Sequence, residues 1–249
     1  MMVLVDIGNS RVKWAEWRDG RLSTQRAAEH AGWTPEQWRH ELLSSPGLTQ
    51  VVAASVAGGE PIESLQGAAR TAGCAFRRVA TSAAAAGVRN AYPDPRLLGV
   101  DRWLAVIAAH ALVDAPCCVF DVGTAATIDT VRADGQHLGG FIIPGPRLMA
   151  GSLLKGTRDL AAHHAASGEA EPAFFADNTR DAIERGARVA LAALADRAVD
   201  ELTRLAGTQA VLLVAGGAAA EVAPYLRTPA RLEPDLVLQG LARVALSAP

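Results

Sequence analysis

Residues 2–20 read MVLVDIGNSRVKWAEWRDG, and residues 117–135 read CCVFDVGTAATIDTVRADG. Each stretch is an apolar strand that runs into an Asp-x-Gly turn. A second strand-like run and an Asp-Gly pair follow. Asp6, Gly8, Asp19 and Gly20 recur as Asp121, Gly123, Asp134 and Gly135, each 115 positions later. Asp-Gly alone is a common turn signal. Four positions in register, inside matching strand patterns, identify an internal repeat. The repeat predicts an α/β chain of two related halves, 1–114 and 115–249, with the boundary near Val113–Pro116.

Turns of this kind suit a polyphosphate held from both sides of a pseudo-two-fold cleft. Glycine lets the backbone approach a ligand and aim its N–H groups at it. Asn9, Ser10 and Thr124 add small donors. Asp6 and Asp121 would repel phosphate directly, so they make sense if cations lie between carboxylate and phosphate. The competing reading, an ordinary strand-ending turn, is weakened by the duplication. Lys13 either reaches a phosphate or is a solvent-facing strand lysine. There is no G-x-x-x-x-G-K-[ST] and no G-x-G-x-x-G, so a nucleotide site here is neither a P-loop nor a Rossmann fingerprint.

The bulk composition agrees. The chain has 249 residues, half of them apolar and a fifth charged, with a net charge of −2. That is a globular composition with ample core and no basic footprint for nucleic acid. The cysteines are Cys74, Cys117 and Cys118, an odd number whose spacing is neither a disulfide framework nor a zinc pattern. Cys117 and Cys118 sit in an apolar run and are expected to be reduced core residues. The N-terminus lacks the pattern of a secretory signal. The apolar stretch Trp103–Phe120 is broken by His110, Asp114 and Pro116, which excludes a simple transmembrane helix. A cytoplasmic protein is expected.

Along the chain, strands are expected at Val3–Val5, Val12–Trp17, Val51–Val56, Phe76–Val79, Cys117–Phe120, Ala126–Val131, Gly140–Ile143 and Val211–Val214. Helices are expected at Thr34–Leu43, Glu60–Ala72, Asp101–Leu112, Arg147–Leu154, Thr179–Leu205, Ala218–Leu226 and Asp235–Leu246. Thr34 is placed to cap its helix and Pro35 to occupy the first helical position. Residues 81–99 and 166–177 read as loop. Gly216-Gly217 is either a plain strand-to-helix turn or a surface for a flat nucleobase.

The stretch YPDPRLLGVDRW, Tyr92 to Trp103, carries the candidate chemistry. Its prolines stiffen a loop, Gly99 admits close approach, and Asp101-Arg102 open a helix. The competing reading of Asp101 is a helix cap. As a general base it would accept the proton of a hydroxyl that attacks a γ-phosphoryl group. Arg102 would then bind an anionic part of the substrate or the transferred group.

DIGNS at 6–10, LGVDR at 98–102, DVGTAATID at 121–129, GGFIIPG at 139–145 and Asn178-Thr179 together resemble the type III pantothenate kinases. These belong to the acetate and sugar kinase, Hsp70 and actin superfamily. The resemblance implies two ribonuclease H-like, actin-like ATPase halves with a cleft between them. It implies ATP-dependent phosphorylation of pantothenate to 4'-phosphopantothenate, the first step of coenzyme A biosynthesis. Carried over, Asp6, Ile7, Gly8, Asn9, Ser10, Arg11, Val12 and Lys13 form the first phosphate loop, and Thr124 contacts ATP phosphate. Asp121 holds a monovalent cation, K⁺ or NH₄⁺, and Asp6 serves Mg²⁺ through water. Tyr92, Gly99, Val100, Asp101, Arg102 and Thr179 line the pantothenate pocket, with Asp101 as proton acceptor. Thr179 also lies where a helix N-cap belongs. The resemblance further implies a homodimer whose pocket is completed at the subunit interface, with the long helix from Thr179 as a dimer element. Ser10 stands where the family usually has Thr, and the hydroxyl is kept. The rival readings are a related kinase acting on another small alcohol or acid, and a nucleotide-binding regulatory protein without catalysis.

Overall fold

The computed structural model of the protein describes residues 1–156 and 174–247. By its contacts the chain forms two units. One comprises Met1–Leu112, Asp134–His137 and Asp235–Pro249; the other comprises Val113–Ala133 and Leu138–Pro234.

In the first unit, β1 (Met2–Ile7), β2 (Arg11–Arg18), β3 (Arg21–Leu22), β4 (Arg26–Glu29), β5 (Gln50–Ser55) and β6 (Ala75–Arg78) form one sheet. Its order is β3-β2-β1-β5-β6, with β4 also on β2. β1 runs antiparallel to β2 and parallel to β5. As an inner strand it is apolar on both faces, which explains the unbroken run Val3–Val5. Val3, Val5 and Ile7 pack with Trp38 of α1 (Pro35–Leu42) and with Ile62 and Leu65 of α2 (Gly59–Thr71). Thr34 caps α1 as expected. Its Oγ1 accepts from Gln37 N–H at 3.3 Å, and Gln37 Oε1 accepts from Thr34 N–H at 2.9 Å. That reciprocal pair is worth about 1 kcal/mol. Asp19 and Gly20 have φ of 52° and 79° and join Arg18 directly to its partner Arg21. This is the two-residue turn that Asp-Gly favours.

In the second unit, β9 (Cys117–Val122), β10 (Ala125–Val131), β11 (His137–Pro144), β12 (Val211–Ala215) and β13 (Ala230–Leu232) follow the order β11-β10-β9-β12-β13. β9 again runs antiparallel to its hairpin partner and parallel to β12. The repeat seen in the sequence is thus a repeat of topology. α5 (Thr179–Ala206) lays Leu191, Ala195, Val199 and Leu202 against Phe120, Ile128, Leu212 and Val214. α4 (Pro146–Gly156) packs on α5.

Two features differ from a simple division at residue 114. The C-terminal helix α7 (Leu236–Leu246) lies in the second half by sequence but packs with the first unit. It lies against α3 (Val100–Leu112) and β1. A Cβ on Gly240 would overlap the Leu104 carbonyl, so glycine lets these helices touch. Arg77 donates to the Val244 and Ala245 carbonyls at 3.2 and 3.0 Å, closing the end of α7. Second, the turn at Asp134–His137 also joins the first unit.

The expected loop at 81–99 contains β7 (Ala84–Ala85), β8 (Val88–Arg89) and a 3₁₀ turn at Pro95–Leu97. The expected helix Ala218–Leu226 is a short helix, α6 (Ala219–Val222), followed by a 3₁₀ turn. Of the loop expected at 166–177, residues 166–173 lie outside those described.

Candidate active site

The two Asp-x-Gly turns occupy equivalent places. Asp6 is the second-last residue of β1, and Asp121 is the second-last of β9. Each pairs in register with an alanine on the parallel neighbour, Ala54 on β5 and Ala215 on β12. In each turn the glycine N–H donates back across the hairpin, Gly8 to Arg11 O at 2.9 Å and Gly123 to Ala125 O at 3.0 Å. The second turn is one residue shorter, so Asp6 stands opposite Lys13 while Asp121 stands opposite Thr127. Directly opposed residues point to the same face. Lys13 is therefore on the Asp6 side of the sheet, and it is half-buried.

Asn9, Ser10 and Arg11 are exposed, whereas Ile7 and Val12 are buried core residues opposite one another. Only the backbone of those two could meet a ligand. Thr124 is exposed. The second turn is held from behind by Gly145, whose N–H donates to Thr124 O at 2.9 Å. A Cβ on Gly145 would come within 2.7 Å of that oxygen and closer still to Gly123 O. This gives GGFIIPG a physical role: its last glycine lets the start of α4 abut the turn. Gly216, with φ of 94°, stands against Asp121 and Val122. It serves the carboxylate turn. Gly217 faces open space.

The acceptor-side candidates are brought together in the first unit. Arg102 is only 6% exposed, and its Nη1 donates to Tyr92 Oη at 3.2 Å. The Tyr92 ring stacks on His137, with centroids 6.4 Å apart and planes 12° from parallel. His137 is fully buried, and its Nδ1 accepts from Ala91 N–H at 3.4 Å. Asn90 fastens the same loop, with its Oδ1 accepting from Tyr92 N–H at 2.9 Å and its Nδ2 donating to Ser82 O at 3.2 Å. Asp134 contributes from the second Asp-Gly pair. Its carboxylate accepts from Arg89 at 3.2 Å, and Gly135 packs on the Gly87 carbonyl. This turn supports the loop before α3, unlike the exposed pair Asp19-Gly20.

Asp101 is the second residue of α3, and its Oδ1 accepts from Arg102 N–H at 2.8 Å. The cap position belongs to Gly99, whose carbonyl accepts from Trp103 N–H at 3.0 Å. Asp101 is therefore not the N-cap. A Cβ on Gly99 would lie 2.7 Å from Asp101 Oδ1, so glycine there leaves room for the carboxylate. Val100 is buried. For α5 the cap is Asn178, whose Oδ1 accepts from Asp181 N–H at 3.0 Å. Thr179 is the first helical residue, half-buried, and its side chain is not the cap.

A family model described as type III pantothenate kinase matches residues 2–201. The chain belongs to the type III pantothenate kinase family. The type III pantothenate kinase of Alkalilimnicola ehrlichii is 39% identical over 245 residues, covering 98% of this chain and 97% of that one. Among solved structures, component A of the (R)-2-hydroxyglutaryl-CoA dehydratase of Acidaminococcus fermentans aligns with a TM-score of 0.53. It is 15% identical, over 98% of this chain and 95% of that one. A glucokinase from an Antarctic psychrotroph aligns with a TM-score of 0.50 at 10% identity, over 99% of both chains. At those identities the likeness is one of fold, the mixed α/β fold of actin-like ATPases and sugar kinases.

Asn90 and His137 brace the loop that carries Tyr92, and neither belongs to a motif of the sequence. A lone histidine or asparagine outside any pattern carries no sequence signal.

Proposed function

We propose that the protein transfers the γ-phosphoryl group of ATP to the hydroxyl of pantothenate, giving 4'-phosphopantothenate and ADP for coenzyme A synthesis. The observation that carries this reading is the match of almost the whole chain to type III pantothenate kinases. The paired carboxylate turns supply its physical rationale.

Residues 6–13 and Thr124 would hold the ATP phosphates, chiefly through backbone N–H groups. Tyr92, Gly99, Val100, Arg102 and Thr179 would line the acceptor pocket. Asp101 would take the hydroxyl proton as the oxygen–phosphorus bond forms and the bond to the ADP oxygen breaks. Arg102, fixed by Tyr92, would hold the anionic acceptor in line. Positioning and charge neutralisation would supply most of the rate.

The donor set fits cations shared with substrate. Among the described residues no group of three or more His, Cys, Asp or Glu side chains could hold a metal alone. Mg²⁺ commonly uses one or two carboxylates together with substrate phosphates. Asp6 would serve Mg²⁺ through water, and Asp121 would serve K⁺ or NH₄⁺. These ions would neutralise charge on the phosphates.

A homodimer fits the exposed apolar side chains of the second unit. Phe141 and Ile142 on β11, Leu148 on α4 and Phe175 before α5 are 51%, 63%, 50% and 84% exposed. Large apolar side chains left exposed are the kind that a second copy of the chain would cover. No described helix is long and apolar enough to cross a membrane, and a cytoplasmic location suits the reaction.

The test is Asp101→Asn. It should abolish turnover of pantothenate while leaving fold and nucleotide binding intact. Near-normal turnover in that variant would overturn the assignment of the base.

A further inference from the structure

The first phosphate loop is supported by a neighbouring strand. β4 pairs with the start of β2, Arg11 opposite Glu29 and Val12 opposite Ala28. The next residue, His30, is thereby carried to the loop. It is only 7% exposed, and its Nε2 lies 2.7 Å from the Gly8 carbonyl oxygen. A carbonyl only accepts, so Nε2 carries the proton and donates it. The imidazole is fixed in turn beside Trp38, with centroids 6.0 Å apart.

Both polar groups of Gly8 are therefore committed. Its N–H goes to Arg11 O, and its C=O goes to His30. The peptide that joins Gly8 to Asn9 is planar and trans, so its C=O and N–H point in opposite directions. Holding the carbonyl towards buried His30 aims the Asn9 N–H the other way, towards the exposed tip of the loop. A rotated peptide would instead present a carbonyl oxygen there, which repels an anion.

We infer that His30 is a positioning residue for nucleotide phosphate. It sets the direction of the Asn9 N–H through its hydrogen bond to the Gly8 carbonyl. The inference rests on the reading of residues 6–13 as the ATP phosphate loop.

The test compares His30→Leu with His30→Gln. Leucine fills the space without a donor, whereas the glutamine amide can return an N–H near the Nε2 position. Mg-ADP binding is measured by calorimetry, and KM for ATP and for pantothenate by initial rates. His30→Leu should weaken Mg-ADP binding and raise KM for ATP about tenfold. KM for pantothenate should stay within about twofold of wild type, and His30→Gln should recover most of the nucleotide affinity. Should His30→Leu fail to fold, His30→Asn replaces it, since its shorter amide cannot reach Gly8 and should lose affinity where Gln keeps it. Wild-type Mg-ADP affinity in the donorless variant would overturn the inference. So would an equal rise in both KM values with no recovery by glutamine. Wild-type protein that binds no nucleotide would overturn the kinase reading itself.

Discussion

Gly216 stands against the carboxylate of Asp121. A Cβ on Gly216 would lie 2.5 Å from Asp121 Oδ1, and closer still to the Val122 carbonyl oxygen. Its φ of 94° is also one that side chains rarely adopt. The end of β12 and the Asp-x-Gly turn of β9 are thus shaped to each other. Gly216→Ala should cost about 2–3 kcal/mol of stability. It should lower kcat at least tenfold and blunt activation by K⁺. Gly217 has nothing within 4 Å of a Cβ, so Gly217→Ala should change neither. Thermal melts and kcat against KCl for the two variants check this; similar behaviour would contradict it.

Tyr92 Oη accepts from the buried Arg102 guanidinium at 3.2 Å. Tyr92→Phe keeps the ring on His137 and removes only that acceptor. A less firmly held arginine should raise KM for pantothenate about five- to tenfold. KM for ATP should stay within about twofold. Initial-rate kinetics with each substrate varied in turn would show whether the effect is confined to the acceptor.

The three cysteines should differ in reactivity. Burial pushes the Cys117 thiol up to about 12, and burial beside Cys117 and Asp129 pushes Cys118 up further. The thiolate is the reactive form, so neither should react in the folded protein. Cys74 is only half-buried. An aromatic disulfide reagent should label Cys74 alone in native protein and all three after unfolding. Rapid native labelling of Cys74→Ser protein would contradict the burial of the pair.

Asp196 should give the stability a defined acid dependence. Burial raises its pKa, but hydrogen bonds from the Thr228 and Arg227 N–H groups and the Arg227 guanidinium outweigh burial and hold it below the usual range. A group depressed in the folded state stabilises fully above its unfolded pKa of about 3.9, and that gain is lost as pH falls through the folded value. Asp196→Ala should therefore cost about 2–3 kcal/mol at pH 7. The gap to wild type should narrow below about pH 4. Denaturant unfolding of both proteins across pH would reveal a gap that fails to close.

Local sequence carried much of this fold. The central strands are continuous apolar runs because both their faces are covered, and the Asp-Gly and Thr-Pro signals act through backbone φ and capping over a few residues. What was hidden depends on contacts distant in sequence. α7 looks like any amphipathic helix, and its packing on α3 and β1, with Gly240 against Leu104 and Arg77 on its end, assigns it to the first unit. β3, β4 and β13 are short edge strands of two to four residues whose pairing stabilises them more than their composition. Asp101 and Arg102 stood out beside Gly99. His30 and His137 did not, because each meets neighbours that only the folded chain supplies. The shared offset of the two Asp-Gly pairs also concealed a divergence: one is a bare hairpin tip, while the other braces the loop that carries Tyr92.

The most direct measurement is ADP release by the purified protein given ATP, Mg²⁺ and pantothenate, with K⁺ present and then with K⁺ and NH₄⁺ both absent. Turnover should require pantothenate and be stimulated by the monovalent cation, the latter reporting on Asp121. Folded protein that releases no ADP with pantothenate under either condition would contradict the kinase reading.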